Sequence, residues 1–229
     1  MDIQILHLLE GAKNARGMTV IIDVFRAFSL ECYIYACGAE RIIPVKTVEE
    51  AFAWRKKDPS CILAGERNGI MVEGFDYGNA PSQFQGLDLS GRTVIHTTSA
   101  GVQGLVNASK ADVILTGSLV NARAIADYIK RHDPASVSLV AMGWNAMRDT
   151  EEDLLCAEYI KALLEGKDMP EIHRLADELR YTEGRKFFDP SKPEFPEADF
   201  ALCTDVDRFD GVIEVLRTED GFETVWRKQ

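Results

Sequence analysis

The chain reads as an α/β protein with a largely parallel sheet covered by helices on both sides, and three observations predict this. Apolar runs of strand length alternate with segments of helical periodicity. Some runs, such as residues 18–24, are apolar at nearly every position and belong to strands buried on both faces. Polar, glycine-rich segments follow several of these runs, where open α/β sheets place their ligands.

Taken in order, residues 3–8 and 18–24 read as the first strands. A helix over 27–37 is ended by Gly38, and 41–45 is a strand. Thr47 and Glu50 form a capping box that opens the next helix. Strands follow at 62–64, 93–96, 113–115 and 137–142, with helices at 100–108, 122–131 and Glu151–Leu164. The C-terminal part has a different texture. A charged helix is expected over 173–185 and a proline-rich loop over 189–197. Short strands are expected at 200–203, 212–217 and 222–226, the last two joined around Asp220-Gly221 as an antiparallel hairpin. Residues 1–229 are expected to form one domain, with 170–229 as an extension of the sheet or a small lobe.

With 229 residues and 46% hydrophobic content, the chain is long enough for one large core. The net charge of −11 argues against broad nucleic-acid binding, which needs a basic face, but leaves room for a local pocket for a small anion. No apolar run approaches the roughly 20 residues of a membrane span. The five cysteines sit mostly in apolar runs without a CxxC pair, as reduced core thiols do, and no basic-then-apolar leader opens the chain. A cytoplasmic protein is the expectation.

The segment 65–81 is the richest in chemistry. It mixes four glycines with Glu66, Arg67, Glu73 and Asp76, which suggests backbone brought close to an anionic ligand, with charges and a metal at hand. Asp23 and Arg26 end the Val20-Ile21-Ile22 strand. An acid there must be paired, hydrogen-bonded or bound to a cation; it either caps the next helix or serves a site. His96-Thr97-Thr98-Ser99 opens a helix after a strand, and Gly117-Ser118 with Asn121 repeats the arrangement, as caps or as an anion site. Glu152 and Asp153 start a helix as dipole partners. Yet helical spacing aligns Glu152 with Cys156 and Tyr159, and Asp153 with Ala157 and Ile160, so both begin the core-facing side. Inward carboxylates of this kind suit a hard cation such as Mg2+. Cys61 and Arg67 match a Cys-x5-Arg spacing, but Cys61 precedes an apolar strand and reads as a core thiol.

Four segments, Ile22–Ser29, 65–81, Thr97–Gly101 and Glu152–Ala157, together resemble the 2-phosphosulfolactate phosphatase family of coenzyme M biosynthesis. The resemblance implies a three-layer α/β/α fold and a magnesium-dependent phosphohydrolase that removes phosphate from a sulfonated phospho-acid. Both readings agree on a mechanism class, metal-assisted hydrolysis of a phosphate monoester, with a non-catalytic anion-binding module or a metal-dependent lyase or isomerase of a phosphorylated acid as the alternatives. Asp23, Arg26 and Glu66 are the catalytic group. Arg67, Asn68, Asn79, Thr97, Thr98, Ser99 and Ser118 would bind the substrate. Asp23, Glu66, Asp76, Glu152 and Asp153 would supply oxygens to Mg2+. Phe187, Phe188, Phe195 and Trp226 are expected either to form a homodimer interface or to pack under the C-terminal hairpin.

Overall fold

The computed structural model describes residues 1–228. Its first block is built from β1 (Asp2–His7), α1 (Leu8–Asn14), β2 (Gly17–Ile22), β7 (Ala111–Gly117), α5 (Ala122–His132), β8 (Ser136–Ala141) and α6 (Glu151–Leu164). In the sheet these strands lie in the order β1-β8-β2-β7, all parallel. A second parallel block, in the order β3-β6-β4, uses β3 (Arg41–Pro44), β4 (Ile62–Arg67) and β6 (Thr93–Thr97). It carries α2 (Ala27–Ala36), α3 (Val48–Lys57) and, on its edge, the short β5 (Ile70–Met71).

The blocks are joined through the antiparallel hairpin of β9 (Gly211–Thr218) and β10 (Gly221–Lys228), which stands inside the sheet between β7 and β3. Each step from β7 to β9, β10 and β3 is antiparallel, so the second block runs against the first along the ladder. The β10–β3 step has one register pair, Thr224 with Ile42. Twist of roughly 20–25° per strand accumulates across these steps. Helix α4 (Gly101–Asn107) leaves β6 and packs through Leu105 with Ile21 and Ala12 of the first block.

Alternation along the strands fills both faces, because neighbouring side chains point to opposite sides. Val20 and Ile22 pack with Ile125 and Ile160 of α5 and α6, while Ile21 packs on the α1–α4 side. Ile42 and Val94 meet Leu30 and Ile34 of α2, whereas Ile43 and Ile95 meet Ala51 of α3. Thr47 accepts a hydrogen bond from Glu50 N at 3.2 Å, and Glu50 Oε2 in turn accepts one from Lys46 N at 2.8 Å.

Several expectations need correction. Residues 200–203 are not a strand: they lie in α8 (Glu197–Cys203), where Pro196 precedes the helix and Glu197 and Asp199 favour its first-turn dipole. The 173–185 helix ends early, as α7 (Ile172–Glu178), and continues as the 3-10 turns Leu179–Tyr181 and Glu183–Phe188. Helix α1 had no counterpart in the sequence reading. Gly11 lets it fold back on β1, since a Cβ there would stand 3.0 Å from Leu6. The supposed loop 65–81 begins as strand through Arg67 and turns back at Asn68-Gly69, both at positive φ, a tight hairpin that Asn-Gly favours. Phe187 and Phe195 are buried together against Phe25 and Phe200, and Trp226 packs on Tyr35 and Phe209, so of these four aromatics only Phe188 is exposed. The homodimer expectation loses that ground.

Candidate active site

Loops from both blocks converge on one cleft. The β2–α2 turn brings Asp23, Phe25 and Arg26, and the β4–β5 turn brings Glu66 and Gly69. The β6–α4 junction adds Ser99 and Ala100, and the β8–α6 loop adds Gly143, Trp144 and Asn145. Asn79 and Phe195 close it. The crossing of α4 from one block to the other makes this meeting possible. Its first residue is glycine, and a Cβ at Gly101 would lie 2.9 Å from Asp23 Oδ2 and from Phe28, so a larger residue would push on both.

On the first-block side one buried acid, Asp23, lines the cleft, and two more, Glu152 and Asp153, are buried near it. Burial pushes the Asp23 carboxyl up to about 6; the Ala27 N–H counters this and nearby Glu66 adds to it. Burial pushes Glu152 up to about 7, with the Lys186 ammonium pulling the other way, and Glu152 Oε2 has no hydrogen-bond partner. Asp153 is raised well above the carboxylate range by burial and by Glu152 and Asp23. Its two oxygens accept from Val24 N and Gly143 N, each at 2.8 Å, and strap the β2–α2 turn to the β8–α6 loop.

On the second-block side Glu66 is thoroughly hydrogen-bonded. Oε1 accepts from Ser99 N at 2.6 Å, and Oε2 accepts from Gly69 N at 2.6 Å and Ser99 Oγ at 3.1 Å. Arg67 donates to Glu66 O, Lys46 O and Thr97 Oγ1, which makes it a brace for the loops. Thr98 Oγ1 accepts from Val102 N in the first turn of α4. Asn68 is exposed and accepts from Asn145 Nδ2 at 3.0 Å, linking the two blocks over the cleft.

Arg26 lines the cleft, yet its guanidinium is spent on the protein. It donates to Asp199 Oδ2 at 3.0 Å, to Glu194 O and to Gly69 O, beneath the Phe195 ring. A buried pair of this kind fixes geometry. Asp199 also accepts from Ser82 N, so α8, misread from the sequence, anchors the site.

Of the expected residues, Asp23, Arg26, Glu66, Asn79 and Ser99 line the cleft, whereas Arg67, Asn68, Asp76, Thr97, Thr98, Ser118, Glu152 and Asp153 do not. Asp76 lies at the opening of β4, where it accepts from Leu63 N and pairs with Arg55. Ser118 is fully buried, 2.5 Å from Ser29 Oγ. Sequence reading also missed two features. Lys186 holds its ammonium over Trp144, at 4.7 Å, and over Phe25, Phe187 and Phe195, beside Glu152. A lysine next to Phe187-Phe188 was the available signal. Glu31 and His96, both fully buried, stand 2.9 Å apart behind Asn79.

Among the described residues no group of three or more His, Cys, Asp or Glu side chains forms a ready metal cage. The donor chemistry is nonetheless that of a hard cation: Asp23 and Glu66 face the cleft with oxygens, and no His or Cys joins them.

No helix among the described residues is long and apolar enough to cross a membrane. The model of the 2-phosphosulpholactate phosphatase family matches residues 4–217. A probable 2-phosphosulfolactate phosphatase of Carboxydothermus hydrogenoformans is 40% identical over 165 residues, covering 72% of this chain and 68% of the relative. Proteins of the same description from Bacillus subtilis and Thermotoga maritima are 30% identical over 190 residues and 33% identical over 207. The first alignment covers 82% of each chain, and the second covers 90% of this chain and 86% of the relative. With that match over nearly its whole length, on an α/β fold whose loops gather Asp23, Glu66 and Ser99 in one cleft, the chain belongs to the 2-phosphosulfolactate phosphatase family.

Proposed function

We propose that the protein hydrolyses 2-phosphosulfolactate, or a closely related phosphorylated acid, to the hydroxy acid and inorganic phosphate, with Mg2+ as its cofactor. The observation that carries this reading is the convergence of Asp23, Glu66, Ser99 and Asn79 on one cleft in a member of this family. Asp23 and Glu66 would hold the Mg2+, which supplies charge neutralisation for the phosphoryl oxygens. Ester cleavage breaks the bond from phosphorus to the alcohol oxygen. Water supplies the new P–O bond, and one of its protons ends on the alcohol. Asp23, beside the cation, would orient this water as it attacks phosphorus.

A second cavity shares Trp144 and Phe195 with the cleft and mixes Arg148, Arg185, Lys186 and Lys192 with Glu183, Asp189 and Glu194; its cations would meet the sulfonate and carboxylate of such a substrate. Five free cysteines, four of them buried, fit a reducing cytoplasm. Production of sulfolactate would place the enzyme in coenzyme M biosynthesis. The test is phosphate release from 2-phosphosulfolactate and a panel of phospho-acids, with Mg2+ and with a chelator. Release from the sulfonated substrate that stops on chelation is expected. No release from any phospho-acid would overturn the reading in favour of a lyase, an isomerase or a binding module.

A further inference from the structure

Behind the cleft wall, three polar side chains from distant parts of the sequence form a line. Glu31 Oε1 on α2 lies 2.9 Å from His96 Nδ1 on β6, and His96 Nε2 lies 3.4 Å from Asn79 Oδ1. Glu31 and His96 are fully buried, and Asn79 alone of the three lines the cleft. We propose that Glu31 and His96 are positioning residues that turn the Asn79 amide so that its amino group donates to an oxyanion, a phosphoryl oxygen in the first place.

The bonding roles follow from the atoms. Glu31 Oε1 and His96 Nδ1 are hydrogen-bonded at 2.9 Å, which fixes the plane of the ring. With Asn79 Oδ1 facing the ring, Nε2 must be the donor, because two acceptors cannot bond. Asn79 Oδ1 is thereby used, and its Nδ2 amino group, without a protein partner among the described residues, is left for the cleft. A core pair needed only for packing could be apolar at less cost, since buried polar groups are expensive unless satisfied, and Glu31 Oε2 has no partner at all. The arrangement places a fixed donor beside the acids Asp23 and Glu66, where an anion otherwise meets negative charge.

The inference rests on the phosphatase reading for its ligand, but binding of inorganic phosphate tests it without turnover. The probe is phosphate, titrated calorimetrically in the presence of Mg2+ into wild type, Asn79→Ala, Asn79→Asp, His96→Leu and the His96→Leu/Asn79→Ala pair. Each single change should weaken phosphate binding about tenfold. The double variant should be no weaker than its parents, because both remove one interaction. His96→Gln, whose amide N–H can donate to Asn79, should retain most of the affinity. If His96→Leu fails to fold by circular dichroism, Glu31→Gln takes its place in the cycle with the same expectation.

Additive losses in the double variant would show that His96 serves the fold alone and would overturn the proposal. So would wild-type affinity in Asn79→Asp, which would mean that the oxygen, not the amino group, faces the ligand. Failure of wild type to bind phosphate would overturn it as well. Phosphate binding without hydrolysis of any phosphomonoester would count against the proposed activity while leaving this cycle readable.

Discussion

The two walls of the cleft use the same residue type in opposite ways. On the first-block side burial raises Asp23, Glu152 and Asp153, although Asp153 accepts from two backbone N–H groups, and Glu152 Oε2 has no hydrogen-bond partner. On the second-block side Glu66 is equally buried but accepts three hydrogen bonds from Ser99 and Gly69. The contrast separates two jobs. A carboxylate held by several donors is fixed in place where a cation can meet it, whereas one raised by burial gains most from a nearby positive charge.

The sharpest way to break this comparison is to remove the charge of one acid from each wall. Asp23→Asn should lower kcat for phosphate release by about a thousandfold or more, with an unchanged circular dichroism spectrum. Loss within about tenfold would put the catalytic centre elsewhere. Glu66→Gln should act through the fold as well. One Gln oxygen becomes an amino group facing Ser99 or Gly69 N–H, so a stability loss of about 2 kcal/mol is expected in urea titrations. Unchanged stability would mean that Glu66 is not held as described.

pH sharpens the comparison further. Asp23 titrates at about 6 in the fold against 3.8 without burial, so the folded state binds the extra proton between these values. The penalty is absent below pH 4, grows as pH rises through this window, and is complete above pH 6. It amounts to roughly 3 kcal/mol. Stability should therefore fall from pH 4 to pH 6.5, and the part due to Asp23 should vanish in Asp23→Asn. Denaturation midpoints across that range measure it.

The smallest effect is expected at Arg67, which braces the loops through Glu66 O and Thr97 Oγ1. Arg67→Ala should cost about 1 kcal/mol of stability and raise KM more than it lowers kcat. A kcat loss as large as that of Asp23→Asn would make Arg67 part of the chemistry.

How much of this could be read from the sequence follows from the range of each interaction. The apolar strand before Asp23 and the core-facing positions of Glu152 and Asp153 are local patterns, and the structure puts these acids together. The β9–β10 hairpin is local too, but its insertion between β7 and β3 is not, since it joins the second block through one ladder pair. Helix α8 was misread because Phe200 and Cys203 look like strand, while what α8 does at the site depends on Arg26 meeting Asp199 from 173 residues away. The Glu31–His96 contact spans 65 residues and the cage around Lys186 draws on four aromatic rings, so neither leaves a periodic trace. Asp76 was overrated for the converse reason. Its place among glycines looked functional, but its partner, Arg55, waits on the neighbouring helix.

Thermal melting at pH 8, with and without Mg2+, tests most directly the claim that uncompensated burial of Asp23 builds the site. Without Mg2+, Asp23→Asn should melt about 5–10 °C above wild type, because the burial penalty is gone. Mg2+ should raise the wild-type midpoint by several degrees and leave that of Asp23→Asn nearly unmoved. An Asp23→Asn protein that melts below wild type, or that gains as much from Mg2+, would contradict the account.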